Sequence, residues 1–82
     1  MKTATVLLST LIESLTPRER EVCALMIRGF SNKEIASLSN TAASTVKLHR
    51  SRILKKMDVV SLSGLMQLFE DTPEGRTLLL KR

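Results

Sequence analysis

Aromatic side chains are nearly missing from this chain of 82 residues: it has no Trp and no Tyr, and Phe30 and Phe69 are its only benzene rings. Any core must therefore be aliphatic, built from Leu, Ile, Val, Met and Ala, and a hydrophobic content of 43% is enough for one compact core of that kind. Cysteine is equally scarce. Cys23 stands alone, which excludes an intrachain disulfide and a cysteine-rich metal site. It is expected to serve as a small buried hydrophobe in a reducing, cytoplasmic setting. His49 is the single histidine. It cannot assemble a metal site with one distant thiol, and no Ser–His–acid set is readable, so no metal, no cofactor and no enzymatic activity are expected. Long apolar runs are missing too: none approaches the roughly 20 residues that span a bilayer. The short apolar stretch from Thr5 to Ile12 has one Lys before it, and Glu13 follows where a signal peptide would need small residues, so neither a membrane partner nor a leader is expected.

What the chain does have is positive charge. Thirteen Lys and Arg against eight Asp and Glu give a net charge of +5 and a pI of about 10.0. A folded basic domain suggests a polyanion, most often nucleic acid, although a basic protein without such a partner fits the bulk numbers as well.

Helix punctuation is strong in the middle of the chain. Thr16-Pro17-Arg18-Glu19 reads as a capping box with Pro in the first turn, followed by an apolar stripe of Val22, Leu25 and Met26 and a stop at Gly29. Ser31-Asn32-Lys33-Glu34 repeats the capping box and opens a shorter second helix, with Ile35 and Leu38 as its core contacts and Ala36 allowing a close neighbour. Ser39, Asn40 and Thr41 are turn formers. A third helix is expected from about Ala43 to Met57, ended at Asp58, which tolerates turn conformations. Ser61 is expected to cap a fourth helix carrying Leu62, Leu65, Met66, Leu68 and Phe69, fading near Asp71, with Pro73 and Gly75 in irregular chain. The first fifteen residues could add a helix through Val6, Leu7, Leu11 and Ile12, although nothing caps it well. The fold class expected is all-α, with four helices and a further N-terminal helix or linker.

Two helices joined by a tight turn, the second basic and one-faced, form a helix-turn-helix pattern. At roughly 100° per residue, Val46, Ile53 and Met57 fall on one side of the third helix, flanked by Leu54 and His49. The other side collects Ser44, Lys47, Leu48, Ser51, Arg52 and Lys55, with Thr45 and Lys56 toward one edge. Lys and Arg there suit phosphates, Lys47 can reach acceptor atoms of guanine, and Ser44 and Thr45 can bond phosphate or base edges. Leu48, apolar in a polar field, suits a thymine methyl or a peripheral packing contact. His49 is expected to pack half-buried or touch a phosphate, and Arg50 to extend its head outward along an apolar stem.

Leu15 to Val22 (LTPREREV), Ser31 to Ala36 (SNKEIA) and Thr45 to Met57 (TVKLHRSRILKKM) closely resemble the LuxR-type helix-turn-helix domain over about residues 14 to 70. His49-Arg50, Lys56-Met57 and Ser61-Leu62 resemble most the FixJ/NarL response-regulator branch. The resemblance implies a four-helix domain of a dimeric transcription regulator. It implies base contacts at Lys47, Leu48 and Ser51, to which the face argument adds Ser44. Phosphate contacts are implied at Asn32, Lys33, Thr45, Arg52 and Lys55, to which the same argument adds Lys56. The dimer contact implied on the last helix involves Leu62, Leu65, Met66 and Phe69. Leu65, Leu68 and Phe69 form one row on that helix and Leu62 and Met66 a second. One row is expected to pack inward, and the other to join two copies weakly, more tightly on DNA, unless Leu78 to Leu80 fold back over it. RNA polymerase is a further candidate partner, and a nucleoid-associated location follows.

The chain departs from the family where it has Ser39 and Thr41 for apolar residues, Ala42 for a Ser cap, and Asp58 for a common Gly. Response regulators of this branch carry a receiver domain of about a hundred residues or more, for which this chain has no room. It is therefore expected to be either free-standing or the C-terminal part of a larger regulator. The expected organisation is a linker or extra helix over 1–14, the DNA-binding domain over 15–70 and a tail over 71–82. The rival reading is a protein-interaction module that keeps the fold and modulates another regulator or polymerase.

Overall fold

The structure, a computed structural model, describes residues 8, 10–73 and 75–76. Four helices carry it: α1 (Pro17–Ile27), α2 (Asn32–Leu38), α3 (Ala43–Lys56) and α4 (Leu62–Glu70), and no strand occurs among the described residues. The fold class is the all-helical one that the sequence implies. Leu8 and residues 10–13 are helical as well, while Val6, Leu7 and Leu78 to Leu80 lie outside the described residues.

Local chemistry sets each boundary. The Thr16 hydroxyl accepts from the Glu19 N–H at 3.1 Å, and the Glu19 carboxylate accepts from the Thr16 N–H at 3.0 Å. Ser31 and Glu34 make the same reciprocal pair, at 3.2 and 2.8 Å. Each box satisfies two backbone donors that a helix start would leave open. The ends of α1, α2 and α3 share one geometry, a Schellman motif closed by a residue in the left-handed region. That residue is Gly29 (φ 91°), Asn40 (φ 55°) and Asp58 (φ 59°) in turn. In each case the next N–H reaches back to the helix: Phe30 to the Leu25 carbonyl, Thr41 to that of Ala36, and Val59 to that of Leu54. Asn and Asp can take this conformation because it costs them less than other side chains.

The core is aliphatic apart from Phe69. Val22, Cys23, Met26 and Ile27 of α1 meet Ile35 and Ala36 of α2, Val46 and Ile53 of α3 with Met57 beyond its end, and Leu65 and Phe69 of α4. Leu8 and Leu15 join this cluster from the N-terminal side. Arg20 bonds the carbonyls of Ile12 and Glu13 at 3.3 and 3.5 Å, which fastens that segment to α1. Arg18 ties the start of α1 to the end of α2 through the Ser39 carbonyl, at 3.1 Å.

Three expectations are corrected. Leu38 is 59% exposed, not a core contact. Counting about 100° per residue from buried Ile35, both Leu38 and Ser39 flank the inward direction on opposite sides, and the packing selects Ser39. Ser39 is buried with its hydroxyl donated to the Ile35 carbonyl at 2.6 Å, which satisfies a polar group at a position where the resemblance implies an apolar one. Residues 73, 75 and 76 are helical where irregular chain is expected. Thr72 is buried and caps this turn by accepting from the Gly75 N–H at 3.0 Å, so Thr72-Pro73 acts as Thr16-Pro17 does. Gly75 packs so closely on the end of α4 that a methyl group there would collide with the Phe69 backbone. On α4, finally, Leu65 and Phe69 are both fully inward, so neither is available to a second copy; Leu62, Met66 and Leu68 are the half-buried apolar residues of that helix.

Ala42 leaves the start of α3 without a side-chain cap, although its backbone (φ −77°, ψ 149°) has the geometry of one. Ala42→Ser is therefore expected to stabilise the domain by about 0.5–2 kcal/mol, read as a higher urea midpoint with an unchanged slope. A midpoint equal to that of the wild type would show that the first turn of α3 gains nothing from a hydroxyl.

Candidate nucleic-acid interface

The candidate surface is built on α3, whose buried face fixes the direction of its outer one. Val46 and Ile53, with Met57 just past the helix, point into the core, and His49, Arg50 and Leu54 lie half-buried beside them. Ser44, Lys47, Leu48, Ser51, Arg52 and Lys55 are exposed, and Thr45 is half-buried. These are the two faces that periodicity separates. From Ser44 to Lys55 the outer row spans about 16 Å of helix axis, a length that can lie along a major groove about 12 Å wide. Leu48 is 49% exposed within this polar row.

The charge is one-sided. α3 contains no acidic residue, and among the described residues no carboxylate pairs with Lys33, Lys47, Arg52 or Lys55. Their ammonium and guanidinium groups thus face solvent without a carboxylate partner among the described residues. The α2 start stands beside α3: Lys33 is exposed, Asn32 is half-buried, and the Asn32 Oδ1 accepts a hydrogen bond from the Arg50 guanidinium at 3.0 Å. That bond was not legible in the sequence, where Arg50 is placed only by its angle near the core face; no spacing rule reports a partner eighteen residues away.

Lys56 differs from the rest of the row. Its Nζ donates to the Glu19 carboxylate at 2.8 Å and to the Ser14 carbonyl at 3.3 Å, so its ammonium is bonded inward and not held toward a phosphate. The partner explains the inversion: the Glu19 side chain is only 3% exposed, and a buried carboxylate needs a cation close by. The Lys56 hydrogen bond first, and the Thr16 N–H second, hold the Glu19 carboxyl below its ordinary value against the opposing effect of burial. The other buried titratable group among the described residues is Cys23, whose thiol is pushed up to about 12 by desolvation, so it remains a neutral core side chain. No group of three or more His, Cys, Asp or Glu that could hold a metal occurs among the described residues, and no described helix is long and apolar enough to cross a membrane.

A capped helix, a tight turn and a second helix with an unpaired basic outer face define a helix-turn-helix protein. Residues 13–69 match the family described as bacterial regulatory proteins, luxR family, and the chain belongs to that family. Among its relatives, the tetrathionate response regulatory protein TtrR of Salmonella typhimurium is 46% identical over 66 residues, covering 78% of this chain and 32% of that protein. Nodulation protein W of Bradyrhizobium diazoefficiens is 40% identical over 63 residues, 77% of this chain and 28% of its own length. The response regulator protein VraR of Staphylococcus aureus is 51% identical over 49 residues, 60% of this chain and 23% of its own length. The chain spans about a third or less of each of these relatives. No solved structure gives a significant match.

Proposed function

We propose that the chain binds duplex DNA sequence-specifically as the reading unit of a bacterial transcription regulator, with α3 in the major groove. The observation that carries this reading is the outer face of α3: three unpaired cations, two serines and an exposed leucine on one side of a helix anchored by its opposite side. Lys47, Leu48, Ser51 and Ser44 would meet base edges, and Asn32, Lys33, Thr45, Arg52 and Lys55 phosphates. Lys56 leaves the set because it serves Glu19. Residues 15–70 form the DNA-binding unit in this reading, and the segment before it acts as a packing element, supported by the burial of Leu8 and the packing of Leu11 and Ile12 against the core. The direct test is an electrophoretic shift on duplex DNA titrated with salt. Affinity should fall steeply as salt rises, because bound phosphates release counterions. No shift at low salt would leave the protein-interaction reading in its place.

Arg52→Ala and Lys55→Ala should each weaken specific and non-specific binding alike. Each lost phosphate contact should flatten the slope of log affinity against log salt by about 0.9. A variant with the wild-type slope would show that its side chain touches no phosphate.

Two-fold pairing of two such units, one DNA turn apart, is the assembly we favour. Its contact would use Leu62, Met66 and Leu68, since Leu65 and Phe69 are enclosed. Sedimentation of the protein on a duplex with two half-sites decides it: one protein per duplex at saturation would exclude the pair.

A further inference from the structure

We infer that Arg50 is a positioning residue for DNA binding: it fixes the side-chain amide of Asn32 so that the NH2 group of that amide is held ready for a phosphate, without itself contacting DNA. The inference rests on the DNA-binding reading above. Arg50 carries only donors, so the Asn32 atom it meets at 3.0 Å must be the carbonyl oxygen Oδ1, and the orientation of the amide is settled by chemistry. A planar amide with its oxygen turned toward Arg50 has its NH2 turned away. Among the described residues that NH2 group makes no hydrogen bond, so it is free to donate. Asn32 opens α2, one residue after the Ser31 cap, and it stands beside exposed Lys33 at the start of the helix that precedes the recognition helix. Arg50 reaches it from the half-buried flank of α3, not from the exposed row. The bond therefore joins the two helices of the reading unit and presets one donor on the first of them. Left unrestrained, an Asn side chain at this position would have to lose rotamer freedom on meeting DNA; the Arg50 bond removes that loss in advance.

The experiment measures affinity of the full chain for a fluorescein-labelled duplex of random sequence across a salt series, beside thermal melting. Arg50→Met and Asn32→Ala should each weaken binding about three- to tenfold, the scale of one hydrogen bond. The double variant should be no weaker than Asn32→Ala alone. Because an amide is neutral, the salt slope should stay close to that of the wild type in all three. Arg50→Lys keeps a long donor and should recover most of the affinity. Asn32→Asp keeps an oxygen for Arg50 and loses the NH2 group, so it should melt at or above the wild-type temperature while binding more weakly than Asn32→Ala. That variant keeps the idea testable even if Arg50→Met does not fold. Additive losses in the double variant would overturn the inference, as would a slope lowered by about 0.9 in Arg50→Met, the mark of a direct phosphate contact. Wild-type binding by Asn32→Asp would overturn it too. If the wild-type chain itself fails to bind the duplex, it is the DNA-binding reading that falls first, and the two failures are told apart.

Discussion

Replacing Lys56 by methionine is expected to lower the stability of the fold by about 1.5–3 kcal/mol and to leave the salt dependence of DNA binding as it is. The Lys56 ammonium holds three parts of the molecule together: α3, on which it sits, the Glu19 carboxylate in the first turn of α1, and the Ser14 carbonyl ahead of it. Methionine keeps much of the stem and removes the charge. Glu19 is then left almost fully enclosed, with the Thr16 N–H as its remaining hydrogen bond. The upper end of the range is limited because the Lys56 side chain is 36% exposed, so water can reach the gap. In a domain of this size each kcal/mol lowers the melting temperature by about 4–8 °C. Glu19→Gln provides the control. Its amide oxygen can still accept from Thr16, and no buried charge remains, so adding Lys56→Met to it should cost far less than in the wild type.

The same pair makes stability depend on pH. The carboxyl of Glu19 is held below its ordinary value of 4.5, so its contribution is complete above that value and is lost as the pH falls through the lowered one. The urea midpoint of the wild type should fall over that acid window, and Glu19→Gln should lack that part of the decline. Equal costs of Lys56→Met in both backgrounds, or an identical acid profile for Glu19→Gln, would show that the Lys56 bond adds nothing to the fold.

Lys56 also marks the boundary of what the sequence can tell. Capping boxes are local and chemical, and they placed α1 and α2 from four residues each. The 3.6-residue period separated Val46 and Ile53 from Lys47, Ser51 and Lys55, because burial acts on one helix at a time. Both kinds of information travel along the chain. Lys56, by contrast, lies at an angle between the two faces, and its direction is decided by a carboxylate 37 residues earlier that the capping box had already drawn inward. Arg50 is the same case, with its partner on α2. Leu38 and Ser39 show a related limit. Both flank the inward direction of a seven-residue helix, and only the packing of the neighbouring elements decides which one enters. On α4 the sequence sorts five large apolar residues into two rows without saying which row turns inward, whereas the packed structure encloses Leu65 and Phe69 of the first. Thr72-Pro73 was legible in principle, since Thr16-Pro17 reads the same way, but Gly75 two residues later argued for a turn until its close approach to Phe69 showed why a glycine is required there.

Truncating Lys47 and Leu48 is expected to erase much of the sequence preference without harming the fold. Both side chains are exposed on the outer row of α3, and surface substitutions of this kind change stability by about 0.5 kcal/mol or less. A change in DNA preference therefore reports on contacts and not on unfolding. Lys47→Ala removes a cation from the centre of the row, where a contact to the acceptors of guanine discriminates by about 1–3 kcal/mol. It should lower the ratio of affinities for the best site and for a scrambled one by roughly five- to 150-fold. Leu48→Ala removes the one apolar side chain that the row presents to solvent. A branched hydrocarbon half exposed among lysines and serines does not belong to the core cluster of the described residues, and a thymine methyl is the group in the major groove that suits it. Its loss should relax preference at A·T positions and leave the salt slope unchanged, because no charge is removed. Lys47→Ala should instead act at G·C positions. The best site is obtained by selecting bound sequences from random duplexes with the wild-type chain, and the two variants are then measured on that site and its single-position changes. If both variants keep the wild-type ratio at every position, the reading role passes from these two residues to Ser44 and Ser51.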